Sequence, residues 1–312
     1  MAQITQLTKK TSVKNSKKEL HSSGSDKIFQ IIVCIYLVLA MLLVLYPLIY
    51  VLACSFSSSQ AVISGRVFLW PVEPTVEGYK TVFKHSLIMS GFGNAFFYTI
   101  FGTIINLVMT VSVGYVLSRK AMYGRNFLTF LFTFTMLFNG GMIPTYLVVQ
   151  SAGLINTRWA MMIPNAIGVW YLILCRTYFQ TSIPDELAEA ADIDGSSDIG
   201  FFLRVVIPLS APILAVLTLF YAVGHWNAYF DALIYIRNQR LWPLQIILRN
   251  ILIQSEISAE MLADIKLIER TQGIKDLIKF AVIVVSSAPM LIIYPFVQKY
   301  FVRGIMVGAI KG

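Results

Sequence analysis

Six long stretches without a charged side chain constrain this sequence more than any other feature. They cover residues 28–65, 86–118, 126–157, 159–175, 205–230 and 280–298. Each stretch is close to or above the roughly 20 residues that a helix needs to cross the hydrocarbon core of a bilayer. Charged residues make up only 13% of the chain, which is about half the share found in soluble domains. The sequence therefore predicts an all-α, polytopic membrane protein with six transmembrane helices.

The charges that flank these stretches predict how the chain is oriented. The apolar patterns place the six spans at 28–54, 93–117, 127–150, 159–178, 205–229 and 279–301. Lys and Arg are concentrated before the first span and between the second and third, which is typical of the cytoplasmic side. An even number of spans then leaves both termini in the cytoplasm. We expect a disordered basic tail at 1–27, a membrane domain at 28–303 and a cytoplasmic C-terminal tail at 304–312.

The sequence gives no support for catalysis, metal binding or nucleic-acid binding by this chain. The net charge is +9, but the aromatic residues lie inside the apolar stretches and not on a basic face. The three cysteines and three histidines show no metal-ligand spacing. A phosphate-binding GxxxxGK[ST] loop is absent from the sequence. We therefore predict no catalytic residue, no metal site and no cofactor in this chain.

A polar segment at 180–204 separates the fourth and fifth predicted spans. Pro184 suits the first turn of a helix, and Ser182 can cap that turn. Gly195 follows an aspartate in a turn signal, because glycine accepts a positive φ without steric cost. A second helical stretch is predicted from about Asp198. This segment is too polar for lipid, so we expect a helix–turn–helix on the cytoplasmic face.

The spacing of residues within this hairpin is specific. Glu189-Ala190-Ala191 is followed after three residues by Gly195, after nine more by Val205, and after one more by Ile207-Pro208. This pattern resembles the EAA loop of binding-protein-dependent ABC importer permeases, E-A-A-x3-G-x9-I-x-L-P. Val205 and Ile207 stand where that family has Ile and Leu, and both are conservative in volume. Residues 184–187, 193–195 and 301–312 resemble the carbohydrate branch of this family. Residues 138–144 look most like permeases for complex or oligomeric sugars in the same branch.

The resemblance implies a fold, a function and a set of partners. It implies the type I ABC importer permease fold, in which residues 181–208 form a coupling loop that docks on a cytoplasmic ATPase dimer. Glu189 would make a polar contact with the ATPase, while Ala190 and Ala191 would fit its groove and Gly195 would form the turn. ATP and Mg would be bound by the ATPase. A second permease subunit and an extracellular solute-binding protein would complete a sugar importer in the cell membrane.

The third predicted span contains a break that is a candidate for the translocation path. Asn139, Gly140 and Gly141 precede Pro144 in the middle of this span. Unwound backbone at membrane depth is tolerated only where protein or a water-filled cavity satisfies its polar groups. The break is therefore interpreted either as part of the substrate path or as a packing kink.

Polar and aromatic residues also cluster near the outer end of the fifth predicted span. His225, Trp226, Asn227 and Tyr229 combine flat rings with hydrogen-bonding groups, as sugar sites do. An aromatic belt at the membrane interface is an equally good explanation. Three asparagines in the apolar stretches are predicted to bond between helices: Asn94, Asn106 and Asn165.

The sequence fits two other classes of membrane protein less well. An ion-coupled secondary transporter predicts ionisable residues at the middle of its spans, since such residues form ion relays. The six predicted spans contain almost none. A non-transporting assembly subunit would not need an acidic hairpin at the family spacing.

Overall fold

The structure is a computed structural model that describes residues 24–261 and 277–295. It contains two compact units, Met1–Ile49 and Tyr50–Gly312, and the described part of the first unit is 24–49. The described residues form helices and contain no strand, so the predicted all-α class is confirmed. Helices are favoured because a long apolar segment must satisfy its backbone donors and acceptors internally.

The helices follow one another with short connections. In the first half of the chain they are α1 (Gly24–Ser55), α2 (Ser59–Ile63), α3 (Glu77–Lys84), α4 (Ser86–Ser118), α5 (Arg125–Leu137) and α6 (Met142–Ser151). A 3-10 turn at Arg158–Met161 precedes α7 (Val169–Ser182), α8 (Asp185–Ile193) and α9 (Asp198–Phe201). A π-helical turn at Phe202–Val206 leads into α10 (Ile207–Leu209) and α11 (Ala211–Trp226). The remaining elements are α12 (Phe230–Tyr235), a 3-10 turn (Gln239–Leu241), α13 (Leu244–Met261) and α14 (Leu277–Pro295).

Several of these helices can cross a membrane. Among the described residues, three helices are long and apolar enough: Asp26–Ser55, Ser86–Ser118 and Leu277–Pro295. Two bent helix pairs, α5 with α6 and 198–209 with α11, raise the number to five if each pair is one span. Helix α7 has 14 residues, fewer than the roughly 20 that a straight crossing needs. The multi-pass character is therefore confirmed, while the count of six spans stays a prediction.

The predicted start of the fourth span is wrong, whereas the predicted second span lies within a longer helix. Helix α4 begins at Ser86, seven residues before the predicted span, and its first turns are packed, since Ile88 is fully buried. Helix α7 begins at Val169 and not at 159. Pro164 and Gly168 lie between the preceding 3-10 turn and this helix, and an apolar composition does not by itself make that segment helical.

The third and fifth predicted spans are bent. Helices α5 and α6 meet at 118°, and the break falls at the predicted glycines, where Gly141 has φ 91°. The fifth span starts at Ala211 and not at 205, after a bend of 80° at Ser210. Pro212 lies in the first turn of α11, where a missing N–H is tolerated. The residues 205–208 therefore belong to the hairpin before the span.

The sequence also predicts where the first and last spans and the two terminal tails lie. Helix α1 begins at Gly24, four residues before the predicted first span. Helix α14 is described as far as Pro295, and residues 296–301 of the predicted sixth span lie outside the described residues. So do residues 1–23 of the predicted basic tail and the whole predicted tail at 304–312.

Helix α4 is the packing centre of the second unit, with α7, α11 and α13 against it. Two buried clusters follow its length. The first lies towards its N-terminal half and includes Tyr98 and Trp226. The second lies towards its C-terminal end and includes Val111, Phe179 and Ala188. Because the second cluster contains hairpin residues, the core itself fixes where the hairpin lies.

Candidate functional site

The polar segment between α7 and α11 forms the predicted helix–turn–helix. Helix α8 begins at Asp185, with Pro184 as its N-cap residue in an extended conformation (φ −60°, ψ 147°). The predictions that Pro184 occupies the first helical turn and that Ser182 caps it are wrong. Ser182 is the last residue of α7, because the chain turns at 183–184 and not earlier. The predicted second helix is confirmed at Asp198–Phe201, capped by the Ser197 side chain.

The turn of the hairpin depends on Gly195. Its φ is +70° and no atom lies within 4 Å of the position that a Cβ would occupy. The Gly195 N–H donates to the Asp192 carbonyl, and the Ser196 N–H donates to the Ala191 carbonyl at 2.9 Å. This is the Schellman arrangement, which satisfies the free carbonyls at the end of a helix. The sequence-based expectation of a glycine turn is confirmed, and the left-handed conformation explains why glycine is needed.

One face of α8 is buried and the other is exposed. Ala188 is 6% exposed and packs in the cluster that contains Phe179, Phe201 and Val206. Ala191 is partly buried against the same cluster. Glu189 and Ala190 are exposed. The structure therefore leaves the first two residues of the Glu-Ala-Ala set open to a partner and uses the third in packing.

The C-terminal part of the motif lies in the second arm of the hairpin. Val205 belongs to the π-helical turn, while Ile207 and Pro208 belong to α10. Val205 and Ile207 are partly buried against the inner cluster, and Pro208 is exposed. π-helical turns inside helices are rare and occur often at functional sites. This arm ends at the bend of 80° before α11.

Charged side chains join α8 to the end of α4. Lys120 Nζ lies 2.9 Å from Asp185 Oδ2, and Arg119 Nη1 lies 3.6 Å from Asp185 Oδ1. The hydrogen bond from Lys120 holds the pKa of the Asp185 carboxyl below its usual value, and the same contact raises the pKa of Lys120. Both groups are therefore charged near neutral pH. The sequence did not predict this contact, because Lys120 and Asp185 are 65 positions apart and no local pattern links them.

A cavity of about 380 Å³ lies beside these ion pairs. Its walls combine the charged residues with aromatic and apolar residues at the ends of α4 and α7: Tyr115, Ser118, Arg119, Lys120, Arg125, Phe179, Gln180, Ile183, Pro184, Asp185 and Glu186. It is therefore part of the surface from which the hairpin projects.

The predicted break in the third span is exposed. Gly141 N–H donates to Asn139 Oδ1 at 2.8 Å, so the asparagine side chain stabilises the break. Asn139, Gly140 and Gly141 are all exposed. The Asn139 side chain and the backbone of the two glycines are thus accessible between α5 and α6. The assignment of these residues to a substrate path stays a prediction.

The aromatic and polar group at the end of α11 divides into two pairs. His225 is 8% exposed and Trp226 is 2% exposed, so both are used in packing between helices. Asn227 and Tyr229 are exposed. Of the four predicted sugar-contacting residues, only the second pair presents its side chains to an incoming molecule in this structure.

His225 and Trp226 hold α11 against its neighbours through hydrogen bonds. His225 Nε2 lies 2.6 Å from Asn106 Oδ1. Because Asn106 Nδ2 donates to the Asn165 carbonyl at 2.6 Å, its Oδ1 is the acceptor and the histidine Nε2 is the donor. The Trp226 indole N–H donates to the Ser286 carbonyl of α14 at 3.0 Å. These contacts fix the C-terminal end of α11 within the second unit.

The predicted role of the asparagines between helices is confirmed for two of them. Asn94 Nδ2 donates to the carbonyls of Arg240 and Trp242, at 2.7 and 3.0 Å. Asn106 bridges α11 and the segment before α7, as described above. The side chain of Asn165 is exposed and donates to Asp231 at 3.3 Å. In a bilayer such bonds remove polar groups from lipid, which favours one helix arrangement.

Within the described residues, no group of three or more His, Cys, Asp or Glu side chains is arranged to hold a metal ion.

The sequence from residue 111 to residue 307 matches the family model described as binding-protein-dependent transport system inner membrane component. This match covers more than half of the chain and includes the complete hairpin. The chain belongs to this family. It is therefore a transmembrane permease subunit of a transport system.

The permease is similar to several named relatives over nearly its whole length. It is 40% identical to protein LplC of Bacillus subtilis (strain 168), covering 94% of this chain and 98% of that one. It is 39% identical to the polygalacturonan/rhamnogalacturonan transport system permease protein YtcP of the same organism, covering 92% and 99%. A crystal structure of a bacterial ABC transporter involved in the import of the acidic polysaccharide alginate contains a similar chain. That chain is 37% identical, with a TM-score of 0.82, over 89% of this permease and 98% of the other chain.

Proposed function

We propose that this permease forms half of the translocation pathway of an ATP-driven importer for an oligosaccharide. Its partners are a second permease subunit, a cytoplasmic ATPase dimer that binds ATP and Mg, and an extracellular solute-binding protein. The permease itself carries no catalytic residue in this proposal. Energy for transport then comes from ATP hydrolysis in the partner.

The observation that carries the proposal is the geometry of the hairpin. Its buried face belongs to the core around α4 and α7, while Glu189 and Ala190 at its surface are exposed. The Gly195 turn is closed by two backbone hydrogen bonds. A rigid element with an exposed surface and a buried base can be displaced by an ATPase and can transmit this movement to the transmembrane helices. We assign Glu189, Ala190 and Ala191 to this contact, and Gly195, Val205, Ile207 and Pro208 to the shape of the hairpin.

The proposed topology has six crossings. They are α1, α4, the bent pair α5–α6, α7, α11 with its preceding bent segment, and α14. Arg119, Lys120 and Arg125 lie beside the hairpin, which supports a cytoplasmic hairpin because basic residues mark that side. Both termini are then cytoplasmic, with a basic tail at 1–27, the membrane domain at 28–303 and a second tail at 304–312.

The substrate class is proposed from the relatives. YtcP belongs to a polygalacturonan/rhamnogalacturonan transport system, and the similar solved transporter is involved in the import of the acidic polysaccharide alginate. Asn139, Gly140 and Gly141 at the exposed break and Asn227 and Tyr229 after α11 supply hydrogen-bonding groups and a ring. We propose these five residues as the part of the path that contacts sugar, since sugar sites combine such groups.

The test is reconstitution of transport in proteoliposomes. The permease is co-expressed with the genes of a candidate second permease and ATPase, and the assembled complex is purified. Labelled oligogalacturonides, alginate oligomers and neutral oligosaccharides are then supplied with a solute-binding protein. We expect uptake of one of these classes that requires the solute-binding protein outside the vesicles and ATP inside them, where the ATPase of the inward-transporting complexes lies.

Two results would contradict the proposal. One is substrate flux through the permease alone, driven by an ion gradient, which would identify a secondary transporter. The other is a purified permease that assembles with no ATPase, which would indicate an assembly subunit. An ATP-dependent uptake of a solute that is not a sugar would overturn the substrate class only.

A further inference from the structure

The hairpin is joined to α4 by contacts that the chain connectivity does not supply. The hairpin follows α7 and precedes α11, so covalent bonds transmit its movement to those two helices only. Asp185, the first residue of α8, nevertheless uses both carboxylate oxygens on the residues that follow α4. Lys120 binds one oxygen at 2.9 Å, and Arg119 lies 3.6 Å from the other.

Further contacts converge on the same end of α4. Arg176 Nε of α7 donates to the Leu117 carbonyl, in the last turn of α4, at 3.1 Å. The Tyr115 ring lies 4.9 Å from the ring of Phe202, in the second arm of the hairpin, and 5.9 Å from that of Phe179. The end of α4 therefore contacts α7 and both arms of the hairpin, with the ion pairs on the α8 side.

These ion pairs add little to the stability of the fold. The Asp185 side chain is 38% exposed and that of Lys120 is 81% exposed. Exposed pairs contribute little to folding because water screens them and the long side chains lose freedom. A charge arrangement of this kind determines position more than stability. Reversal of the carboxylate charge would place three cations together and push α8 away from α4.

We propose that Asp185 is a positioning residue that fixes the first arm of the hairpin to the end of α4, so that movement of the hairpin reaches α4 directly. The proposal rests on the function proposed above, since it assigns a route for a movement that an ATPase starts. Helix α4 is the packing centre of the second unit. A direct connection to it would move α11 and α13 together with α7.

The experiment uses the complete importer in proteoliposomes and measures sugar taken up per ATP hydrolysed. The probe is the labelled oligosaccharide that supports uptake by the unaltered complex. Asp185→Lys is expected to lower this ratio by about fivefold, since each like-charge contact at the surface changes an equilibrium by roughly that factor. The double exchange Lys120→Asp with Asp185→Lys restores opposite charges at the contact. It is expected to recover about half of the ratio, because attraction returns at position 120 while Arg119 still repels the introduced lysine.

A matched control exists in the segment between α2 and α3. Arg66 and Glu73 form an exposed ion pair at 3.2 Å that has the same chemistry and lies away from the hairpin. Glu73→Lys creates the same kind of repulsion there, and we expect no change in sugar taken up per ATP. Complex yield and thermal unfolding are measured for every variant, so that a loss of folded protein is recognised.

The outcomes separate this inference from the proposed function. A normal ratio for Asp185→Lys, together with lost transport for Gly195→Val, would overturn the positioning role and leave the coupling hairpin intact. Normal transport in both variants would overturn the coupling role of the hairpin as well, whereas the proposed function itself would fail if the unaltered complex showed no ATP-dependent sugar uptake. A lowered ratio that the double exchange does not restore would also contradict the positioning role, because the charge contact would then not be its cause.

Discussion

The hairpin lies at the N-terminal end of α11, and His225 and Trp226 lie in the last turn of the same helix. The polar groups of these two regions have different roles. In the hairpin, Glu189 and Ala190 are exposed, and the internal contacts are made by the base of the element. At the end of α11, His225 and Trp226 are buried and hydrogen bonded. The first region leaves these side chains exposed, as our proposed contact with a partner requires, whereas the second uses its side chains to hold helices together. Substitutions should therefore affect transport in one region and stability in the other.

The largest expected effect is at the hairpin turn. Gly195→Val places a β-branched residue at φ +70°, where strain costs about 1–3 kcal/mol. The turn should open and α8 should lose its orientation, so we expect ATP-driven uptake to fall by about tenfold or more. Membrane insertion should be unchanged, because the turn lies outside the apolar stretches. Uptake in proteoliposomes and the amount of inserted protein check this prediction.

Gly65→Val is the matched control for the turn. Gly65 has φ +66° and open space around its Cβ position, so the substitution introduces the same strain away from the hairpin. It should leave uptake per inserted complex close to that of the unaltered protein. An equal loss in both variants would mean that backbone strain in general, and not the hairpin, explains the result.

The next effect concerns stability at the end of α11. Trp226→Ala removes a side chain that is 2% exposed, packs at 5.1 Å from the Phe96 ring and donates a hydrogen bond to α14. We expect a loss of about 3–5 kcal/mol of unfolding free energy, as for other large-to-small changes in cores. Denaturant unfolding in detergent measures it. Trp170→Ala, where the side chain is 65% exposed, should change the stability by less than about 0.5 kcal/mol.

A smaller loss is expected where α4 and α11 approach most closely. A Cβ at Gly102 would lie 2.5 Å from the His225 ring, and the ring is held by Asn106. Gly102→Ala should therefore cost about 1–3 kcal/mol through overpacking. Gly93→Ala on the same helix meets no atom within 4 Å and should be neutral or slightly stabilising. Equal stability of the two variants would show that the close approach of α4 and α11 is wrong.

The smallest change in stability is expected at Asn227. Its side chain is exposed and donates only to the Val223 carbonyl of its own helix. Asn227→Ala should change the unfolding free energy by less than about 0.5 kcal/mol. If Asn227 contacts sugar, the half-saturating sugar concentration for uptake should nevertheless rise. An unchanged uptake curve would remove this residue from the proposed path.

Local patterns were enough to predict much of the hairpin. The turn at Gly195 and the helix start at Asp198 follow from the backbone preferences of glycine and of capping residues, which act over a few positions. The helix start at Asp185 was less well predicted. Proline is compatible with both the N-cap position and the first helical turn, so the presence of Pro184 did not distinguish these two positions. The break at Gly140 and Gly141 was predicted for the same local reason as the turn.

Contacts between distant segments were not predictable in this way. Asn106 and His225 are 119 positions apart, and nothing in either neighbourhood specifies the other. The sequence left His225 and Trp226 as candidates for sugar binding, and packing against α4 and α14 decided that they are buried. The bond of Asp185 to Lys120 is a second example.

The sequence by itself determined that this chain is a helical membrane protein, because charge-free stretches of that length are stable only in lipid or in a large core. It also determined the turn at Gly195 and the break at Gly140 and Gly141, since glycine acts through its own backbone. Only the tertiary structure decided which polar side chains are buried and hydrogen bonded between helices and which stay exposed. That choice depends on which surfaces meet when α4, α7, α11 and α14 pack, and packing brings together residues that no local pattern connects.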